Sequence, residues 1–236
     1  MPTVTGQRII DGHLHLFPGL GDKKYFPYRQ AKYVCMHWAY GDPNHHRDLD
    51  ALYPRHEERF SDPDGSYNIS SMDHGDVDAA LLLPIDYEYG WGSRMGANNK
   101  EILTIDEKHA HIADLQNNKY PGRFYAAAGP DPRRPNAPDI FERAVKDYNL
   151  KGLKIIPGNG YTVWDRILYP MYDVCLEYDL PVFSCTMAHP GGYTRPRFND
   201  PLNYGDIACD FPDLKFVLLH AGFPFDDWFD KCLWVT

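Results

Sequence analysis

An α/β fold built on parallel strands is what this sequence predicts, and three observations carry the prediction. Short apolar runs recur six times along the 236 residues, each the length of a buried strand. Segments with helical spacing separate most of them, as crossovers between parallel strands require. Histidines stand at the ends of several runs, which gathers polar chemistry at one end of a sheet.

The first run, residues 8–16, is apolar and β-branched at its start and ends in His13 and His15. It predicts a short buried strand. Residues two apart share a face of a strand, so the two imidazoles project together and Leu14 points the other way. Paired neutral imidazoles on rigid backbone are half of a transition-metal site. The same spacing also fits a strand with two polar positions that happen to be histidine, and the later histidines weigh in favour of the metal.

Residues 17–63 read as one long irregular insertion rich in Gly, Pro, Tyr and His. His37, His45, His46 and His56 lie there with Tyr25, Phe26, Tyr28, Trp38 and Tyr40, expected mostly as packing and surface residues. A helix over 66–74 stops at Gly75 as a C-terminal glycine cap. Residues 77–84 are too short an apolar run for a core helix and give the second strand. Over 98–118, Ile102, Ile105, His109, Ile112 and Leu115 recur at helical spacing. His109 and His111 lie about 200° apart around such a helix, so they cannot share a metal and are expected as packing or solvated residues.

Pro121-Gly122 breaks that helix, and 123–128 form the third strand. An amphipathic helix over 138–148 presents Ile140, Phe141, Ala144 and Val145 on one side. Residues 151–157 are the fourth strand, opening into Gly158-Asn159-Gly160, and a helix over 165–178 follows. The fifth strand, 180–189, ends at His189. A loop with Arg195 and Arg197 and a short helix over 200–209 lead to the sixth strand, 214–222, which carries His220. The rest begins another helix.

Six such alternations fit an open doubly wound sheet as well as a TIM-type (β/α) barrel. The barrel is favoured because the candidate residues end strands one, four, five and six, where barrels build their sites. No glycine-rich phosphate fingerprint follows the first strand. The expectation is one domain over 1–236 with the insertion at 17–63.

Composition narrows the function. With 24 basic against 33 acidic residues the net charge is −9, and Arg133-Arg134 is the only adjacent arginine pair, which disfavours nucleic acid. No apolar run has the length of a membrane span and no basic-then-apolar leader opens the sequence. Cys35, Cys175, Cys185, Cys209 and Cys232 are odd in number and unclustered, which suits free buried thiols in a reducing cytoplasm.

Four segments carry a resemblance: Ile9-Ile10-Asp11-Gly12-His13-Leu14-His15; Gly152-Leu153-Lys154; Leu180-Pro181-Val182 through His189; and Pro212-Asp213-Leu214-Lys215 through His220-Ala221-Gly222. Together they resemble the amidohydrolase superfamily, in its amidohydrolase 2 (carboxymuconate-semialdehyde decarboxylase-like) branch. The resemblance implies that His13, His15 and His189 hold one divalent metal, zinc in most members, and that His220 sits beside the activated water as a general base. Lys154 matches the strand-four position where binuclear relatives bridge two metals with a carboxylated lysine; here a mononuclear site is expected, with Lys154 contacting substrate. Arg195 and Arg197 are the candidates for gripping a substrate carboxylate bidentately, against the plainer reading of solvated loop arginines.

In that family strands seven and eight close the barrel, and an aspartate ending strand eight serves as ligand and proton acceptor. Here one helix follows strand six, and Asp226, Asp227 and Asp230 come too soon after His220 to replace it. The expected architecture is therefore a barrel that stops after strand six, because the sequence is truncated, because a partner chain completes the site, or because six strands make an incomplete barrel, and it is expected to associate into a homo-oligomer. The expected function is hydrolysis of a C–N, ester or lactone bond in a small organic substrate. A non-oxidative decarboxylase of an aromatic or dienoic acid is the alternative, and a catalytically impaired binding relative the third reading.

Overall fold

The computed structural model describes residues 7–17, 49–89, 103–189 and 194–236. Two compact units divide the chain, Met1–Pro84 with Glu101–Ala127, and Ile85–Lys100 with Ala128–Thr236. Each carries a three-stranded parallel sheet.

In the first unit β1 (Ile10–Leu14), β2 (Ala79–Leu82) and β3 (Phe124–Ala126) lie in that order. Ile10 pairs with Ala79 and Leu82 with Ala126. β2 has a neighbour on each side, and its Ala79 and Ala80 are wholly buried. Among the described residues β1 has a partner strand on one side only, and it departs from the buried strand expected: Ile9 is 46% and Ile10 51% exposed. Hydrophobicity alone could not reveal that the strand is an edge.

The region read as irregular over 17–63 contains a helix, α1 (Leu49–Phe60), with Pro54 inside it. Phe17 makes an isolated parallel bridge to Ser61, so the chain returns to the sheet there. His56 is buried and stacks on Phe60. His37, His45 and His46, the aromatics Tyr25 to Tyr40, and Cys35 lie outside the described residues.

Helix α2 (Ser66–His74) ends as expected, but Gly75 has an ordinary φ of −91°, and the left-handed residue is Asp76 at φ 54°. Aspartate tolerates that conformation better than most side chains. Helix α3 (Ile105–Asp114) starts at Thr104, which forms a reciprocal capping box with Glu107. It runs into a π turn over Leu115–Lys119. Ile105, His109, Ile112 and Leu115 form the buried stripe that the spacing predicts. His109 is completely buried, and burial holds the His111 imidazole below its usual pKa.

In the second unit β4 (Leu153–Ile155), β5 (Val182–Cys185) and β6 (Phe216–Leu219) are again in sequence order. Lys154 pairs with Phe183, and Phe183 with Val217. Lys154, Phe183 and Cys185 therefore share one face. The other face packs against aromatic side chains: Tyr172 and Tyr204 both meet the Phe216 ring edge-on, and the Tyr204 hydroxyl hydrogen-bonds Ser184 Oγ. Gly152 is forced by this packing, since a Cβ there would lie 2.6 Å from the Phe183 ring and 2.7 Å from the Pro181 carbonyl.

Helices α4 (Ala137–Lys146), α5 (Tyr169–Glu177), α6 (Asn203–Asp210) and α7 (Asp226–Val235) complete the unit close to the expected boundaries. Of the free cysteines Cys175, Cys185 and Cys232 are buried, whereas Cys209 is exposed, contrary to expectation. No helix among the described residues is long and apolar enough to cross a membrane. The α/β fold with parallel strands stands, while the described strands pair as two sheets and not as one closed barrel.

Candidate functional site

β1 does not reach its two histidines by simple alternation. Its register against β2 shifts between Asp11 and Leu14, and the His13 N–H turns back to Asp11 Oδ1 at 2.9 Å. Irregularities of this kind re-aim side chains at the ends of strands. Both rings are half-buried and meet edge-on, with centroids 4.8 Å apart and Nε2 atoms 3.1 Å apart. The sequence thus predicted the right neighbours, by a shorter route than the backbone takes.

The tautomer of His15 follows from its other nitrogen. Nδ1 lies 2.7 Å from the Leu83 carbonyl, just past β2, and a carbonyl can only accept. Nδ1 therefore carries the proton, and in the neutral ring Nε2 keeps its lone pair. A backbone carbonyl on the far nitrogen is the usual way a metal-binding histidine is oriented. Two nitrogens bound to one zinc at about 2.0–2.1 Å each stand about 3–3.4 Å apart, a range that contains the observed separation. The donor chemistry of this pair fits a divalent transition metal.

In the second unit His220 directly follows β6, as expected, but His189 lies four residues beyond the end of β5. The strand stops at Cys185, whose Sγ is 3.3 Å from His189 Nε2. The His189 and His220 rings are perpendicular with centroids 6.1 Å apart. His220 and Ala221 hold left-handed backbone angles, φ 69° and 45°, unusual for side chains and a mark of constraint at a functional turn. Thr186 pins that turn: its hydroxyl donates to the Leu219 carbonyl at 2.6 Å and accepts the Gly222 N–H at 3.0 Å.

Lys154 is only 4% exposed, and its Nζ makes no hydrogen bond or ion pair among the described residues. Burial pushes its pKa down to about 8 against a small opposing influence of Cys185. His220 is pushed down to about 4, mainly by burial and secondarily by the Lys154 charge. At neutral pH His220 is a neutral imidazole and Lys154 a mostly charged ammonium without a counter-ion.

Arg195 is exposed and shares the Asn159 carbonyl with Arg133, at 3.2 and 3.1 Å. Arg133 is already neutralised by Asp131 at 2.7 Å, while Arg195 meets no carboxylate among the described residues. Arg197 is exposed with its guanidinium over the Phe198 ring. Among the described residues no group of three or more His, Cys, Asp or Glu is gathered closely enough to hold a metal. The first unit offers the His13–His15 pair, and the second offers Cys185 with His189.

Sequence reasoning missed Asn199, because an asparagine before Asp-Pro reads as an ordinary turn residue. It is completely buried; its Oδ1 accepts the Gly158 N–H at 2.6 Å and its Nδ2 donates to the Met187 carbonyl at 2.7 Å. The turn after β4 and the segment after β5 are thereby tied together. Asn199→Ala leaves two buried backbone groups unpaired and is expected to cost about 2–4 kcal/mol. Urea unfolding checks this, and a loss below about 0.5 kcal/mol would show that the tie contributes nothing.

The chain is 25% identical over 133 residues to the 2-keto-4-carboxy-3-hexenedioate hydratase of Sphingobium sp. (strain NBRC 103272 / SYK-6). That stretch covers 48% of this chain and 38% of that protein's own length. The crystal structure of the 4-oxalomesaconate hydratase of Rhodopseudomonas palustris shares the fold with a TM-score of 0.51 at 18% identity, covering 96% of this chain and 68% of that one. The amidohydrolase family profile matches residues 10–234, almost the whole sequence, and the chain belongs to the amidohydrolase family.

Proposed function

We propose that this chain is a metal-dependent hydrolase of small organic acids, with His13 and His15 as two of the ligands of one divalent metal, zinc first among candidates. The observation that carries the reading is the convergence of the His13 and His15 Nε2 atoms, with the His15 tautomer fixed by Leu83. A bound zinc supplies Lewis acidity and brings the pKa of a water to about 7.

The chain's own residues supply the rest. His220 is neutral at pH 7 and accepts a proton from the attacking water, held in place by the Thr186 clamp on its turn. Lys154 receives a substrate carboxylate, since a buried ammonium without a partner is costly until an anion reaches it. Arg195, anchored on Asn159 and meeting no carboxylate among the described residues, is the second anion contact. Arg197 is spent on Phe198 and belongs to the surface.

Hydration of an unsaturated oxo-acid is the second reading, favoured by the name of the curated relative. Both reactions direct water at an electrophilic carbon, and they differ in whether a bond breaks. Incubation of lactones, esters, amides and unsaturated di- and tricarboxylic acids in oxygen-18 water separates them by mass spectrometry. The proposal expects cleavage with one label in the product carboxylate. A product of added water with no cleavage establishes the hydratase, carbon dioxide release a decarboxylase, and a metal-loaded chain inert toward every class contradicts the enzyme reading.

A further inference from the structure

We infer that the free edge of β6 and the exposed side of α7 form one interface between two copies of this chain. The surface lies wholly within the second unit, and the inference is independent of the metal reading.

The strand edge is the first argument. The Val182 N–H donates to the Lys215 carbonyl and the Thr186 N–H to the Leu219 carbonyl, so the odd-numbered residues of β6 face β5. Phe216 and Leu218 turn their N–H and C=O groups the other way, where no strand pairs among the described residues. Edge strands are usually blunted by lysine, proline or a bulge. The Phe-Val-Leu-Leu run of β6 carries neither lysine nor proline, and its register against β5 is unbroken. Val217 is 40% exposed, as a strand covered on both sides would not allow.

The helix is the second argument. α7 buries Trp228 and Cys232. Phe225, Phe229 and Leu233 recur every four residues along another side, and with Phe223 and Trp234 they are between 48% and 75% exposed. These five side chains present about 600 Å² of mostly apolar surface, the upper limit of the patch that an isolated protein normally leaves to water. A standard interface takes about 800 Å² from each partner, so the stripe supplies most of one and the strand edge adds to it.

The occupant follows from symmetry. β6 can pair antiparallel with its own copy about a two-fold axis through Val217, normal to the sheet. Phe216 then exchanges backbone hydrogen bonds with the partner's Leu218, and Leu218 with the partner's Phe216, while the two Val217 residues stand opposed between these pairs. The same axis keeps both α7 helices on one face of the joined sheet, so that one patch meets its own copy. Asp226 and Asp230 border the stripe and are exposed, which places them at a polar rim.

Sedimentation velocity and cysteine cross-linking provide the test. The unaltered chain is expected to sediment at twice the chain mass at about 10 µM. Phe229→Glu is expected to weaken the association at least about 30-fold while its circular dichroism stays unchanged. In the paired strands the two Val217 Cα atoms lie about 4.5 Å apart, within disulfide reach. Val217→Cys in a Cys209→Ser background is therefore expected to form a covalent dimer on mild oxidation, and Asp213→Cys in the same background is not. A chain that stays monomeric at about 100 µM overturns the proposal and leaves the face to a partner of another kind. A dimer that Phe229→Glu leaves intact overturns it as well, since the contact then lies elsewhere. A dimer that gives no Val217→Cys cross-link overturns the strand pairing. Should Phe229→Glu fail to fold, Leu233→Glu carries the same test, and the cross-link decides without either.

Discussion

His15→Ala is expected to lower zinc affinity at least about 100-fold, the upper end of what mere loss of an orienting partner costs, while the chain remains folded. His15 is the better anchored of the first pair: Leu83 fixes its tautomer and its ring direction, so its removal takes away the one donor that is fully preset. His13 then loses its neighbour at 3.1 Å. The fold has little to lose, because the ring is half-buried at the end of an edge strand. Competition against a chromogenic chelator measures the affinity, and thermal melting monitors the fold. Unchanged affinity in a folded variant means that the 3.1 Å contact is a histidine–histidine hydrogen bond and nothing more.

Lys154→Met is expected to have the second large effect, with stability and binding moving in opposite directions. The folded-state pKa of Lys154, about 8, lies below its ordinary value of 10.5. The folded chain therefore gives up this proton before the unfolded chain does, and holding the charge at neutral pH costs about 3 kcal/mol. That penalty is present in full below pH 8 and fades as pH rises from 8 to 10.5. Methionine fills similar space without a charge, so the variant should melt about 6–12 °C higher at pH 7. Its advantage should shrink steadily above pH 8. Binding should fail in the same variant, because the cation proposed to meet the substrate carboxylate is gone. In the unaltered chain KM for an anionic substrate should rise about tenfold per pH unit above 8. A variant less stable than the parent at pH 7 would show that the ammonium is well satisfied in the folded chain.

The two expectations have one physical origin. Stability and function compete where a charge or an irregular backbone is held ready for a ligand. Lys154 holds a charge, and His220 and Ala221 hold left-handed backbone angles. Each costs folding energy that only a bound partner or a reaction makes useful.

Much of this was legible in the sequence, for identifiable reasons. Six apolar runs matched the six strands because strands of a parallel sheet are short and rich in apolar residues. The Ile105–His109–Ile112–Leu115 stripe gave α3 because helical spacing is read directly from residue type. The His13–His15 pair was visible as two imidazoles on one strand. What escaped depends on neighbours that a linear pattern does not contain. Pro54 reads as a helix breaker, yet α1 runs through it. Ile9 and Ile10 read as core, yet among the described residues they flank an edge with one partner strand. His189 reads as a strand end, yet β5 stops at Cys185. Asn199 gives no local sign of its role, because its partners, Gly158 and Met187, are fixed only by the fold.

The metal content of the purified, unaltered chain tests the central claim most directly. Elemental analysis after growth in zinc-supplemented medium and gel filtration without chelator should find one tightly held divalent transition-metal ion per folded chain. A folded chain that carries no such ion, and takes up none when zinc is returned to it, would contradict the account.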